Sequence, residues 1–306
     1  MKIAIIGAGA MGCLLASYLA PHHAVWLVDG WQTQVDTINQ QGLRRERDGL
    51  ITTCHPHATT DAHTVEGADV ALVLVKYHQT TWAAQQVVQA LAPHGICVTL
   101  QNGIGGADVL AETLGVSRVT RGVTSLGATL VGPGHVRHAG MGDTVFATTL
   151  APAMIQQLSA AFTEGGLPAH ASADLDSLVW GKLVVNVGIN ALTGILRIPN
   201  GMVASHAGAR ALLTQAVNEA VAVAGALGIT LPYSDPLAHV LAVATATAAN
   251  RSSTLQDVLR GSPSEIATIN GAVVRYAHTC GISVPINHLL CDMMDIVDTT
   301  TENRIQ

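Results

Sequence analysis

Lys182, Asn186 and Asn190 stand at i, i+4 and i+8 in an otherwise apolar stretch, Trp180-Gly-Lys-Leu-Val-Val-Asn-Val-Gly-Ile-Asn190. That spacing puts all three on one face of a helix. A lysine and two asparagines on the apolar face of a buried helix must find partners or water. In one reading Lys182 snorkels to the surface and the asparagines bond nearby backbone. In the other the three polar groups line a cleft. There an ammonium can stabilise negative charge building on an oxygen and then donate its proton. Apolar walls would lower the lysine's pKa towards the working range. The residues alone leave both readings open.

A second polar segment runs from Asn250 through Arg251, Ser252, Ser253 and Asp257 to Glu265. Within it, Ser262-Pro263-Ser264-Glu265 fits a capping box, with Ser262 as N-cap, Pro263 at the first helical position and Glu265 reaching back. On local physics, capping is the better account of Glu265. Asn250, Ser252 and Ser253 read as ordinary turn and cap residues.

The opening of the chain carries the most specific pattern. The run Ile3–Ile6 reads as a buried strand, followed at once by Gly7-Ala8-Gly9-Ala10-Met11-Gly12 and a helical pattern. In such a loop Gly7 makes the tight turn, Gly9 lets backbone approach a pyrophosphate, and Gly12 lets the helix pack closely on the strand. The helix start offers N–H groups and a positive dipole end to phosphates. A second strand, Ala24–Val28, ends in Asp29, where an acidic residue reads a ribose. These residues point to a bound dinucleotide.

The elements that must position these groups fall into two kinds. Up to about Leu167, strands alternate with helices: Ala68–Lys76 as strand, Thr80–Leu91 as helix, and Ile96–Gln101 as strand ending at Asn102-Gly103. Alternation predicts a parallel sheet with helices on both faces. The Val-, Thr- and Gly-rich stretch 119–149 reads as hairpins adding antiparallel strands to the sheet edge. Beyond it, helical runs are expected over 175–196, 202–227, 237–249, 264–280 and 285–298, with Gly228 and Gly281 as stops. The expected division is a dinucleotide-binding α/β domain over residues 1–170 and an all-α substrate domain over 171–306, with the site in the crevice between them.

Composition narrows the class. A chain of 306 residues, 49% hydrophobic and 12% charged, can bury two cores. A net charge of −6 and a pI near 6.1 argue against a nucleic-acid partner. Mean hydropathy is +0.37, but Asn186, Asn190, Arg197 and Glu219 interrupt the longest apolar stretches, so no membrane span is expected. No signal peptide is expected ahead of the first strand. Five cysteines without CxxC spacing suit reduced thiols in the cytoplasm, and Cys54-His55-Pro56-His57 reads as a solvated loop. No metal is expected. Small residues along the helices suggest a homodimer.

Taken in order, Lys182, Asn186 and Asn190, then NRSSTLQD at 250–257, EIATING at 265–271 and GISVP at 281–285, resemble the ketopantoate reductase family. The similarity spans the whole chain and includes the opening fingerprint, Lys76, Gln101-Asn102-Gly103 and the hairpin 132–138. The resemblance implies a Rossmann domain joined to a helical domain like that of 6-phosphogluconate dehydrogenase. It implies reduction of 2-dehydropantoate to pantoate by hydride from NAD(P)H, in pantothenate and coenzyme A biosynthesis. Lys182 is then the catalytic acid and Glu265 contacts the substrate, while Asn186, Asn190, Asn250 and Ser253 hold it. Cofactor contacts fall to Gly7, Ala8, Gly9, Ala10, Met11, Gly12, Asp29, Lys76 and Asn102.

One departure stands out. Where NADPH-preferring members carry a basic residue after the second strand, Val28-Asp29-Gly30-Trp31 presents an acid. A carboxylate bonds ribose hydroxyls and repels a 2′-phosphate, so NADH is favoured, although Lys76 leaves NADPH open. Two rivals remain. A related 2-oxo or 3-hydroxy acid dehydrogenase would share the layout and the lysine–asparagine helix but not the NRSS…E segment. A non-catalytic dinucleotide sensor would need only the glycine loop.

Overall fold

The computed structural model describes residues 1–301, which form two compact units. The first comprises Met1–Gln101 and Gly106–Leu175, the second Asn102–Gly105 and the described residues from Asp176 onward.

The first unit is built on β1 (Lys2–Ile6), β2 (Ala24–Val28), β3 (Leu43–Arg47), β4 (Leu50–Cys54), β5 (His57–Thr59), β6 (Ala68–Val73), β7 (Leu91–Thr99), β8 (Val119–Thr124), β9 (Gly127–Gly132), β10 (His135–Gly140), β11 (Thr144–Ala147) and β12 (Ala169–Ser172). Its helices are α1 (Ala10–Leu19), α2 (Gln32–Gln41), α3 (Thr80–Ala90), α4 (Gly106–Leu114) and α5 (Pro152–Glu164). Eight strands make one sheet in the order β5-β2-β1-β6-β7-β8-β11-β12, parallel from β5 to β8. That is the doubly wound order, with the strand sequence reversing at β1. Side chains alternate between the two faces. Ile3 and Ile5 join the core under α1 and α5, while Ala4 and Ile6 join the core under α3. Burial on both faces explains why β1 reads as a continuous apolar run.

The stretch 119–149 differs from expectation. β8 extends the parallel sheet and β11 pairs antiparallel with β8, but the β9–β10 hairpin leaves this sheet. It pairs through β10 with β3, making a second sheet of order β4-β3-β10-β9. Val136 on β10 is fully buried in the core beneath α1, and the Tyr18 hydroxyl of α1 bonds His138 Nδ1 at 2.6 Å. The hairpin therefore gains more as a cover for α1 than as a sheet edge. The Cys54–His57 segment is not a plain solvated loop either. Cys54 closes β4, and His57 opens β5 and stacks on Trp26 at 4.5 Å.

The second unit is helical: α6 (Asp176–Leu196), α7 (Asn200–Ser205), α8 (Ala207–Ala226), α9 (Pro236–Ala246), α10 (Ser253–Arg260), α11 (Asn270–Cys280) and α12 (Pro285–Thr299). α6 is its core. A Cβ on Gly188 would lie 2.9 Å from both Val217 and Val240, so glycine is what lets α8 and α9 approach. By length and composition α6 could cross a membrane, yet 67% of its apolar window is buried, as in a core helix. The run expected over 202–227 is split at His206, whose Nδ1 accepts from Ala209 N and caps α8. α9 begins at Pro236 with Asp235 capping it through Ala238 N, at 2.9 Å. α10 lies outside the helical runs expected, but its start agrees with the reading of this segment as turn and cap residues. Ser252 caps it through Leu255 N at 3.0 Å, and Gly261 at φ +68° closes it.

Candidate active site

In the first unit the glycines do three different things. Gly7 sits at φ +107°, out of reach of other residues without strain. A Cβ on Gly12 would fall 1.8 Å from the Gly7 carbonyl oxygen, so helix and turn could not close with any other residue. A Cβ on Gly9 would meet nothing within 4 Å. Its smallness therefore serves no packing inside the protein and leaves an open cradle in front of the loop. α1 starts from Gly9 with no side-chain cap and no acidic residue in its first turn. The N–H groups of Ala10, Met11 and Gly12 thus form an end suited to an anion. These features fit a dinucleotide pyrophosphate.

Asp29 ends β2 as expected, but its carboxylate is already engaged. Oδ2 accepts from Ala8 N at 2.6 Å and Oδ1 from Trp31 N at 2.8 Å. Each oxygen keeps a second lone pair for a ribose hydroxyl. Lys76 lies half-buried at the start of the 3₁₀ turn Tyr77–Gln79.

In the second unit, α6 carries Lys182, Asn186 and Asn190 along one side, Asn190 buried and the other two half-buried. Asn190 Nδ2 donates to Ser253 Oγ at 3.4 Å, and Thr193 Oγ1 bonds Ser252 Oγ at 2.6 Å. The start of α10 is thereby fastened to α6. Burial draws the Lys182 ammonium down to about 8, against the opposing pull of the Glu265 carboxylate. Glu265 is only 5% exposed, and Asn102 Nδ2 donates to its Oε2 at 3.4 Å.

The capping box expected at Glu265 is absent. No helix begins at Pro263; a 3₁₀ turn, Ile266–Thr268, precedes α11, which starts at Asn270. The cause is Asp298, near the end of α12. Its Oδ2 takes both Ser264 N (3.1 Å) and Ser264 Oγ (2.6 Å), so Ser264 is drawn to α12. Glu265 makes no side-chain cap and its carboxylate turns inward, beside Asn102.

Residues 102–105 cluster with this unit for identifiable reasons. Ile104 N donates to Thr268 O at 2.9 Å, and Arg275 spans the two segments by bonding Ala267 O at 2.5 Å and Ile104 O at 2.9 Å. Gly103, at φ +78°, has Thr268 O where a Cβ would be, 2.2 Å away. Arg275 and Asp298 were not anticipated; the Asn102-Gly103 pair signalled a turn but not what the turn would touch.

The structure thus gathers Lys182, Glu265 and Asn102, and joins Asn190 to Ser253. Asn250 does not join them by any side-chain bond. It is exposed, and its backbone pairs with Asn200 and Thr247. Asn102, expected among the cofactor contacts, donates to Glu265 within the second unit.

Known proteins resemble this chain in sequence and fold. The family described as ketopantoate reductase PanE/ApbA matches residues 3–150, and the family of its C-terminal part matches residues 174–298. A 2-dehydropantoate 2-reductase of Halobacterium salinarum is 34% identical over 298 residues, 96% of this chain and 98% of that protein. The crystal structure of a PanE/ApbA family ketopantoate reductase from Ralstonia eutropha superposes with a TM-score of 0.90 at 35% identity, covering 99% of this chain and all of that one. A D-mandelate dehydrogenase solved with NADH and anilino(oxo)acetate gives a TM-score of 0.90 at 26% identity, covering 99% of this chain and 100% of that one. With both halves matched and a full-length relative above 30% identity, the chain belongs to the ketopantoate reductase family and is an NAD(P)H-dependent oxidoreductase.

Proposed function

We propose that this protein reduces 2-dehydropantoate to pantoate, with Lys182 as the general acid. The observation that carries the proposal is that the half-buried Lys182 stands beside the buried Glu265 carboxylate, with desolvation drawing its ammonium down to about 8. A nicotinamide cofactor bound at the glycine loop would supply the hydride that reduces the ketone carbon, and negative charge would then build on the ketone oxygen. Lys182 holds its proton at neutral pH, stabilises that oxygen and gives the proton up, leaving an alcohol and a neutral amine. Glu265 keeps Lys182 charged and offers a carboxylate oxygen to the substrate's distal hydroxyl. Asn186, Asn190, Asn250 and Ser253 supply neutral donors for the substrate carboxylate, a set that binds the anion without neutralising Lys182. Asn102, by holding Glu265, serves the substrate side as well as any cofactor contact.

The same proposal assigns Gly7–Gly12 to the pyrophosphate and Asp29 to the adenosine ribose, which favours NADH, with Lys76 able to receive a 2′-phosphate. It places the reaction in the cytoplasm, in a homodimer. A second reading has one specific support, the likeness to a D-mandelate dehydrogenase bound to NADH: the substrate is another 2-oxo acid of similar reacting end. Loss of NADH and NADPH absorbance with 2-dehydropantoate and phenylglyoxylate separates the two. A kcat/KM for 2-dehydropantoate at least tenfold above that for phenylglyoxylate supports the first reading (about 1.4 kcal/mol of discrimination). The reverse order supports the second, and no turnover with any 2-oxo acid supports a sensor.

A further inference from the structure

Gln34, in the first turns of α2, is a fully buried polar side chain that none of the roles above uses. Its side-chain bonds run to the glycine loop, to Cys13 of α1 and to the hairpin. Nε2 donates to Ala8 O at 2.7 Å and to Cys13 Sγ at 3.1 Å, and Oε1 accepts from Gly134 N at 2.8 Å. Cys13 Sγ in turn donates to the same Ala8 O at 3.1 Å. Burial pushes that thiol up to about 12, so it stays protonated and keeps donating. The Ala8 carbonyl thus has both lone pairs engaged, while the Ala8 N–H is held by Asp29.

Two consecutive peptide groups are therefore fixed, the Gly7–Ala8 peptide through its N–H and the Ala8–Gly9 peptide through its C=O. A trans peptide is planar, with C=O and N–H pointing in opposite directions. Drawing the Ala8 carbonyl inward to Gln34 forces the Gly9 N–H to face outward. That is the residue in front of which the structure leaves open space. A glycine at φ −72° and ψ −165° has neighbouring extended conformations within easy reach, so without an anchor this peptide is free to rotate.

We propose that Gln34 is a positioning residue for the dinucleotide: by holding the Ala8 carbonyl it aims the Gly9 N–H at the pyrophosphate. This rests on the assignment of Gly7–Gly12 to the pyrophosphate. Because the pyrophosphate is common to both cofactors, Gln34 sets affinity for NADH and NADPH alike, whereas Asp29 sets the choice between them. The bond to Gly134 also ties the loop to the β9–β10 hairpin, giving that hairpin a stake in cofactor binding.

The test is Gln34→Met, which keeps the side chain's length and removes all three bonds, with Gln34→Asn as a shorter amide able to reach only one partner. Dissociation constants for NADH and NADPH are measured by fluorescence titration, with kcat at saturating cofactor and Tm alongside. Gln34→Met should weaken both cofactors by the same factor, roughly tenfold for one lost hydrogen-bonding group in a binding loop. Its kcat at saturation should stay within about threefold of wild type, and Gln34→Asn should fall in between. A lower Tm with unchanged dissociation constants would reduce Gln34 to a structural strut and overturn the proposal, as would losses that differ between the two cofactors. Should Gln34→Met not fold, Gln34→Asn is judged on the same criteria, weaker binding with kcat held for the proposal and unchanged binding against it. If wild-type protein binds neither cofactor, the assignment of the loop itself fails, an outcome distinct from normal binding in the variants.

Discussion

The glycine loop and the Lys182 cluster are assembled in opposite ways. The loop is made of consecutive residues, Gly7–Gly12, shaped by their own backbone and closed by one turn of chain. The cluster draws on Asn102, α6, the start of α10 and the Glu265 turn, segments up to 163 positions apart that meet only through bonds such as Asn102–Glu265. A site built locally is read from spacing and fails when its own residues change. A site built from distant segments is fixed by tertiary bonds, and it can be altered by residues that touch no substrate.

The largest effect expected is on the cluster. Lys182→Ala should lower kcat by roughly two to four orders of magnitude, the range for losing a general acid, while the dissociation constant for NADH stays within about twofold. Stopped single-turnover assays and fluorescence titration read the two quantities separately. A variant with near-normal kcat would return Lys182 to an ordinary snorkelling lysine.

The complementary break is at Gly9. Since a Cβ there meets nothing in the protein, Gly9→Val should leave Tm nearly unchanged and weaken dinucleotide binding by at least about tenfold. Gly12→Ala should do the reverse in kind, because its Cβ would overlap the Gly7 carbonyl. Soluble protein should be scarce, with a marked loss of Tm. Calorimetry and titration on both variants would show whether the loop's glycines really divide between cofactor and fold.

How much the sequence revealed follows the same division. Gly7, Gly9 and Gly12 were legible because each effect is local and steric. β1 and β2 were legible because strands buried on both faces are continuously apolar. The face shared by Lys182, Asn186 and Asn190 followed from helical spacing, but what it would meet did not. Glu265 shows why. Its local pattern matches a capping box, and only the bond from Ser264 to Asp298, 34 positions away, overrides it. The β9–β10 hairpin was misassigned for a similar reason, since its burial against α1 leaves no periodic mark distinguishing it from a sheet-edge hairpin.

A smaller effect sharpens the role of Asp29. Asp29→Asn keeps an oxygen to accept from Ala8 N but removes the charge that repels a 2′-phosphate. The ratio of kcat/KM with NADPH to that with NADH should rise by about five- to tenfold, mainly through the NADPH KM. An unchanged ratio would leave Asp29 as a loop anchor alone.

The pH dependence of kcat/KM for 2-dehydropantoate, compared between wild type and Glu265→Gln, tests the central claim most directly. Lys182 must be protonated to act, so wild-type activity should be level below its pKa and fall as pH rises through about 8. The Glu265 carboxylate raises that pKa, so its replacement by a neutral amide should move the falling limb to lower pH. A limb that stays in place or moves upward in Glu265→Gln, or a wild-type profile flat across roughly pH 7 to 9, would contradict a protonated Lys182 held beside Glu265 as the acid.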